Sequence, residues 1–527
     1  INQIQFDTLA KKPIKLVYKV QDHNQGSATY FREHLRRMLT SAKPERKHYF
    51  AFDDYVQDSL EWANNPLYGW CNKNTKPDGS PYDIYSDGLK IYTSVNSTMQ
   101  QYAEEAVIQH LRDNLQPAFM FEKKGTKNAP YASDLTPEQM QQIQELSIKR
   151  TERYRVLRNA GVKWNVIVKD FRKKERMTVF TWKGEKDTTF SPMDSIRYYK
   201  YFLRGAFMAI DPHNGYVKAY VGGPNFKYFK YDQVKYGKRQ VGSTIKPFIY
   251  TLAMQEGYSP CFKVANVPTT FYLGDTVWTP RNSGLKDYEG KLVTLKFGLS
   301  NSVNYISAWN MKQFNPPSVI DLMRKMGITS YLAPYPSLVL GTSDLSLYEM
   351  VGAYASYANK GVYTRPVVIT KIVDRSGTVL YTNQNWQVEA ISEQTAYLML
   401  KMMEAVVKHG TALRLRREPY NMMMPIAGKT GTTQNHSDGW FMGITKDLVA
   451  GVWVGGEDRA IHFDNLAMGQ GANMALPIWA LFMKKCYDDK TLNLSQDEFD
   501  IPENFHYDIE CKEDQVPSEE EMERMIE

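Results

Sequence analysis

The sequence predicts an α+β fold in which one sheet is assembled from segments far apart in the chain and flanked by helices. Three observations carry this. "GAFMAIDPHNGYVKAYVGG", from Gly205, sets two apolar runs around a D-P-H-N-G turn, a hairpin signature. "PIAGKTGTTQNHSDGWFMGITKDLVAGVWVGG", from Pro425, alternates strands with tight turns. Between them, from Ser243 to about residue 425, the spacing is helical, and "ANMALPIWALFMKKCY" makes a closing amphipathic helix. Strands at both ends with helices between imply a single sheet closed by distant segments.

Along the chain, "SATYFREHLRRML" carries Tyr30, Phe31, His34, Leu35 and Leu39 near one helical stripe. "NKNTKPDGSPYDIYSDG" is punctuated by Pro, Asp and Gly and reads as loop. "LKIYTSV" alternates like a strand, and "STMQQYAEEAVIQHL" is a helix with Ser97 or Thr98 as its cap. Thr136-Pro137-Glu138-Gln139 opens a further helix, with a capping threonine, proline in the first turn and Gln139 as capping-box partner. "WNVIVKDFRKKERMTVFTWKGEKDTTFSP" reads as strands joined by charged turns. We expect residues 41–202 to form a smaller α+β linker region with its own core and a polar helical insert around 124–200. Gly215 suits the positive φ of the hairpin turn. "LVAGVWVGG" is a buried strand, half the length of a membrane helix. After about residue 490 the chain turns acidic, as expected of a solvated tail over 490–527.

At 527 residues the chain exceeds one ordinary core. With 43% hydrophobic and 23% charged residues it has the balance of a folded protein. The net charge of +7 favours anionic surroundings, a membrane face or an anionic polymer. Cys71, Cys261, Cys486 and Cys511 are widely scattered with no C-x-x-C pair, so neither a disulfide scaffold nor a zinc module is indicated. The nine histidines include no H-E-x-x-H, which argues against a metal-dependent hydrolase. No signal peptide opens the chain and its first residue is Ile, as in a fragment or mature form.

The chemistry lies in three short motifs. Ser243-Thr244-Ile245-Lys246 is an S-x-x-K at a helix start. Alone it is weak, since about two such matches arise by chance in this length, and its bland reading is a helix cap followed by a surface lysine. Ser302-Val303-Asn304 is an S-x-N, and Lys429-Thr430-Gly431 with Thr432 is a K-T-G. S-x-x-K, S-D-N and K-T-G together are the signature of penicillin-binding proteins and class A β-lactamases, and here the three occur in that order. The spacing has a chemical reason. A serine hydroxyl needs a base to become a nucleophile, and residues three apart share a helix face. A lysine serves as base only if burial or a cationic neighbour lowers its pKa, and Lys429 supplies such a charge. Ser302 is then a proton shuttle and Asn304 orients Lys246 and a substrate amide. The backbone amides of Ser243 and Thr432 form an oxyanion hole, while a peptide adds as a strand along the K-T-G segment.

Longer stretches extend the likeness. "LRGAFMAIDPHNGYVKAYVGG…KRQVGSTIKPFIYTLAM", "LVTLKFGLSNSVN", "SLVLGTSDLSLYEMVGAYASYANKGV", "VVKHGTALRLRR" and "ALPIWALFM" resemble the transpeptidase domain of class A penicillin-binding proteins, over about 203–485. "FDTLAKKPIKL" and "ATYFREHLRRML" resemble the stretch after that family's glycosyltransferase domain, and "DGLKIYTSVNSTMQQYAEEAV" its linker. The E-D-x-x-F and Q-Q motifs of the glycosyltransferase are not found; Gln100-Gln101 and Gln141-Gln142 stand in other contexts. The resemblance therefore implies residues 1–40 as a tail after a missing glycosyltransferase domain, 41–202 as linker, 203–489 as transpeptidase and 490–527 as acidic tail. It implies the serine β-lactamase/transpeptidase-like fold, with a five-stranded, mostly antiparallel sheet.

The activity implied is peptidoglycan D,D-transpeptidation. Ser243 attacks the penultimate D-Ala of a D-Ala-D-Ala stem peptide and expels the last, and a neighbouring amine resolves the acyl-enzyme. The resemblance gives Ser243, Lys246, Ser302, Asn304 and Lys429 the catalytic work, and Thr430, Gly431, Thr432 and Thr433 the substrate. It implies β-lactams as covalent inhibitors, lipid-linked precursor strands and other cell-wall synthesis proteins as partners, and neither cofactor, metal nor nucleic acid. The place implied is the outer, periplasmic face of the cytoplasmic membrane, with an N-terminal anchoring helix outside this chain. Three rivals stand beside this reading: a serine β-lactamase, a D,D-carboxypeptidase and a non-catalytic β-lactam or peptidoglycan sensor. The first needs a deacylation base of E-x-x-L-N type, and Glu349 in "SLYEMVG" stands in another pattern.

Overall fold

The computed structural model describes residues 2–3, 6, 26–282 and 286–511. Five strands build the central sheet: β1 (Arg204–Ile210), β2 (Val217–Val221), β3 (Ala427–Thr432), β4 (Asp438–Ile444) and β5 (Val449–Gly455). Their order is β3-β4-β5-β1-β2, and each neighbouring pair is antiparallel. The hairpin turn between β1 and β2 places Gly215 at φ 73°.

Side chains alternate across this sheet because successive residues of a strand face opposite sides. Ala206, Met208, Ile210, Trp440, Met442 and Trp453 join one core, whereas Phe207, Ala209, Phe441, Val452 and Val454 join the other. Both faces are covered by helices, which explains why β1, β4 and β5 are buried along their whole length and read as continuous apolar runs. The helices are α1 (Ser97–His110), α2 (Lys246–Gln255), α3 (Asn304–Lys325), α4 (Leu347–Ala358), α5 (Glu393–His409) and α6 (Leu476–Asp488). α2, α3 and α4 fill the first core; α1 and α6 fill the second. α5 serves both, with Met399 and Met402 in the first core and Val406 and Val407 in the second. Among the described residues no helix is long and apolar enough to cross a membrane.

The N-terminal segments differ from the expected self-contained linker. Tyr30, Phe31 and Leu35 of the helix Thr29–Thr40 enter the first sheet core, and Lys90–Thr93 pairs with Ile369–Val373. α1 lies on the sheet because Ala103, Ala106 and Val107 make a flat, small-residue face. Its cap is Asn96, whose side chain accepts from the Met99 N–H, rather than Ser97 or Thr98. Among the described residues two small clusters stand apart, one around Ile148, Ile167 and Phe171, the other around Phe180, Phe202 and Phe229. Trp164–Asp170, expected as strand, is a helix; Ile167 and Phe171, four apart, then meet Ile148 on one side, and that packing overrides the β-branched composition. The Thr136–Gln139 capping box is present, as is the hairpin Glu175–Thr181 with Gly184–Phe190.

The expected solvated tail is also revised. Residues 490–511 lie against the sheet domain: Phe499 is buried in the first core, Phe505 packs edge-on against Tyr397, and Lys296 Nζ donates to the Ile509 carbonyl. Cys511 forms a disulfide with Cys261, 250 residues earlier. Its acidic composition hid three aromatic or aliphatic anchors and a cysteine whose partner is distant in sequence. The remainder, 512–527, and the expected family stretch at 6–16, apart from Phe6, lie outside the described residues. Cys511→Ser is expected to open 500–511 to limited proteolysis without altering cooperative unfolding of the sheet core, checked by peptide mapping beside a thermal melt.

Candidate active site

Ser243 stands in a short 3-10 turn, Gly242–Ile245, that runs directly into α2 at Lys246. Gly242 has φ 52°, and a Cβ there would lie 2.7 Å from the Thr432 carbonyl oxygen. Only glycine lets the turn press this closely on β3. Ser243 is half-buried and its hydroxyl makes no hydrogen bond among the described residues. Lys246, one turn on, is wholly buried.

Ser302 occupies the turn between the helix Leu295–Ser300 and α3, at φ 57°. A positive φ is costly for serine and persists only where its surroundings over-determine it. Here they do. Lys246 Nζ donates to the Ser302 carbonyl (2.5 Å), to Asn304 Oδ1 (2.7 Å) and to Ser302 Oγ (3.2 Å). Lys429 Nζ, from β3, donates to Ser302 Oγ (3.0 Å) and to the Thr430 carbonyl (3.0 Å). The serine hydroxyl thus sits between two buried amines. Asn304 is fixed in turn: its Nδ2 donates to the Arg281 carbonyl (2.7 Å), and its backbone N–H donates to Asn282 Oδ1 (2.9 Å).

Burial and then the charge of Lys429 hold the Lys246 amine well below the usual lysine range. Burial pushes Lys429 down to about 7. An amine whose proton affinity burial lowers in this way can accept a proton as a general base, and a hydroxyl bridging two such groups can relay one.

β3 is an edge strand, so one side of its backbone makes no ladder bonds among the described residues. Its side chains are differently engaged. Thr430 bonds hydroxyl to hydroxyl with Thr411 (2.6 Å), whose backbone N–H donates to the Ser300 carbonyl (3.1 Å). Thr432 Oγ1 accepts from the Gly471 N–H (3.0 Å). Thr433 is buried, bonded to Ser437 (3.0 Å) within the turn that follows β3.

The structure therefore brings Lys246, Ser302, Asn304 and Lys429 into direct contact, with Ser243 one turn before Lys246 and Thr432 against Gly242. Sequence reasoning missed Arg239, Thr411 and Asp438. The Asp438 carboxylate, fully buried, accepts from Arg239 Nε (2.5 Å) and Trp453 Nε1 (2.9 Å) through one oxygen. Its other oxygen accepts from Ser437 Oγ (2.7 Å) and Thr433 Oγ1 (3.4 Å). Arg239 lies four residues before Ser243, so this ion pair ties the strand leading to Ser243 to the turn leaving β3. The only sequence signal was a charged residue on each side of a motif, which any surface loop also carries.

Two family models match the chain: the penicillin-binding protein middle domain over residues 126–203 and the penicillin-binding protein transpeptidase domain over 205–456, together more than half of it. The chain belongs to the penicillin-binding proteins. The part read from sequence as a polar insert is thus the part that matches this family's middle domain. Penicillin-binding protein 1A of Aquifex aeolicus is 32% identical over 315 residues, spanning 59% of this chain and 41% of that protein. The chain therefore spans about two fifths of the length of such a relative. Its fold is like the crystal structure of penicillin-binding protein 1A from Haemophilus influenzae (TM-score 0.61, 20% identity, 93% of this chain and 74% of that one). It is also like the PonA1 protein from Mycobacterium tuberculosis in complex with penicillin V (TM-score 0.56, 19% identity, 90% and 98%). The architecture is the transpeptidase fold of these penicillin-binding proteins, with the antiparallel five-stranded sheet between helices.

Asp438→Asn leaves the Arg239 guanidinium nearly buried and uncompensated. We expect it to lower stability by about 3 kcal/mol, measured by denaturant unfolding, whereas Asp344→Asn, at a more exposed pair with Arg459, changes it by less than about 1 kcal/mol.

Proposed function

We propose that this penicillin-binding protein is a serine D,D-transpeptidase that crosslinks peptidoglycan stem peptides through an acyl-enzyme on Ser243. The contact of two buried amines with Ser302 Oγ, one of them Lys246 a single turn after Ser243, carries the reading. Lys246 as free base takes the Ser243 proton while the hydroxyl oxygen attacks the penultimate D-Ala carbonyl. The negative charge on the tetrahedral oxygen falls to the backbone amides of Ser243 and Thr432. Ser302, bridging Lys246 and Lys429, passes a proton to the leaving D-Ala amine. Asn304 keeps Lys246 aimed. The donor peptide adds to the edge of β3, with Lys429, Thr430, Gly431 and Thr432 toward its terminal carboxylate and Thr433 holding the turn behind them. A β-lactam acylates the same serine, a reading supported by the penicillin V complex of the PonA1 protein.

Glu349 supports the transpeptidase over the β-lactamase. It is buried in a capping box at the start of α4, and its carboxylate accepts from the backbone and hydroxyls of Ser330 and Ser346. Those bonds outweigh burial and hold its pKa below the usual range, so it is committed to structure rather than to activating water. The likeness to class A proteins supports the wider proposal: a bifunctional enzyme whose glycosyltransferase supplies strands at the periplasmic face of the cytoplasmic membrane, anchored by an N-terminal helix outside this chain.

Intact-mass analysis with penicillin is expected to show one adduct that persists for many minutes and is absent in Ser243→Ala. Release within seconds sinks the transpeptidase reading in favour of the β-lactamase. Incubation with a donor stem peptide and an amine acceptor distinguishes the other rivals: crosslinked product supports the proposal, hydrolysis alone a carboxypeptidase, and neither a sensor.

The acylation rate is expected to be bell-shaped in pH. It rises as Lys246, depressed by burial and by the Lys429 charge, loses its proton, and falls as Lys429 loses its own near pH 7. In Lys429→Gln the neighbouring charge is gone, so Lys246 holds its proton to higher pH and the rising limb moves up. Lys246→Met lowers the rate about 10²- to 10⁴-fold.

A further inference from the structure

The chain's charge of +7 is not spread over it. Residues 149–176 hold eleven Lys and Arg against three Asp and Glu, a net +8, so the other 499 residues are together close to neutral. This stretch forms the helix Glu152–Asn159, the helix Trp164–Asp170 and the entry to the strand Glu175–Thr181, wrapped on the small cluster of Ile148, Ile167 and Phe171. So small a core leaves nearly every charged side chain at the surface.

The three acids are already engaged. Arg153 bonds Asp170 (2.8 Å) and Glu175 (2.6 Å), and Arg155 bonds Glu152. Arg158, Lys163, Lys169, Arg172, Lys174 and Arg176 are exposed and make no salt bridge among the described residues. Aliphatic side chains stand out among them: Leu146, Val156 and Val166 are each at least half exposed, at 51%, 57% and 50%. Beside this unit opens a cleft of about 600 Å³, lined by the cations Lys127, Arg172 and Arg197 with Trp164, Met140 and Met193, against the single acid Glu145.

We infer that this cationic unit of the middle domain docks on an anionic lipid surface. Diffuse cations that no internal partner holds in a fixed fork match a field of headgroup phosphates, whose positions vary, better than one shaped acidic epitope. The exposed Leu146, Val156 and Val166 between the cations match the headgroup–acyl boundary, where such side chains leave water. A soluble anionic polymer has no use for them. The docking does not depend on the Ser243 chemistry: it uses none of that site's residues and stands or falls separately.

The test is co-sedimentation of the whole chain with phosphatidylcholine vesicles made with and without phosphatidylglycerol. Binding is expected only with phosphatidylglycerol, and is expected to weaken steeply with added salt because exposed charges are screened. Each cation near such a surface contributes about a fivefold preference. The triple change Arg158→Gln, Lys163→Gln and Lys169→Gln therefore lowers binding about a hundredfold. Val156→Ser with Val166→Ser weakens it in a salt-independent way. Thermal unfolding at wild-type temperature certifies that each variant is folded. Equal binding to both vesicle types overturns the inference, as does undiminished binding by the triple variant. So does retention on isolated peptidoglycan, lost in the triple variant, with no retention on vesicles; that outcome assigns the patch to the glycan polymer.

Discussion

Two lysine amines buried around one serine hydroxyl are the constraint on which the rest of this domain depends. A buried ammonium is costly, and two beside each other more so. The fold accommodates them by surrounding Lys246 with the Ser302 carbonyl and the Asn304 amide oxygen, and Lys429 with the Thr430 carbonyl. All of these partners are neutral acceptors, so the amines are solvated but not neutralised by a carboxylate. Burial, left uncompensated by any carboxylate, is what depresses their proton affinity, and for Lys246 the charge of Lys429 adds to it. An Asp or Glu at the position of Asn304 would hold Lys246 charged and remove the base.

Such an arrangement tolerates little movement, and the surrounding structure is built accordingly. α2 carries Lys246, the turn before α3 carries Ser302, and the edge of a sheet covered on both faces carries Lys429. The positive φ of Ser302 is stored strain, supported by Lys246 on its carbonyl and by both amines on its hydroxyl. Gly242 brings the Ser243 turn against Thr432, and the Arg239–Asp438 pair fastens the approaches to both. Positioning is therefore distributed: small contacts bring the backbones together, and one buried ion pair spanning 199 residues of sequence keeps them there.

Much of this was legible from local pattern. The hairpin at Gly205, the buried strand "LVAGVWVGG", the capping box at Thr136 and the closing helix follow from periods of two and 3.6 and from turn chemistry, which act within a few residues. Errors arose where tertiary contacts outvoted local preference. Trp164–Asp170 is β-branched yet helical, because a helix brings Ile167 and Phe171 together onto Ile148. Residues 490–511 looked like a solvated tail because their few anchors, Phe499, Phe505 and Cys511, find partners more than 90 residues away. The linker looked self-contained because small residues on α1 do not announce the sheet they cover.

The sequence by itself determined the chemical inventory: a hydroxyl and an amine one helical turn apart, and a further serine, asparagine and lysine in motifs whose order is specific. That much is covalent, since a spacing of three on a helix dictates a shared face. Only the tertiary structure decided that Lys246 and Lys429 are both buried on Ser302, that Thr433 turns inward, and that Arg239 reaches Asp438. The reason is physical: burial, and the proton affinity that follows from it, are properties of what surrounds a group, and here those surroundings come from segments that only the closed sheet brings together.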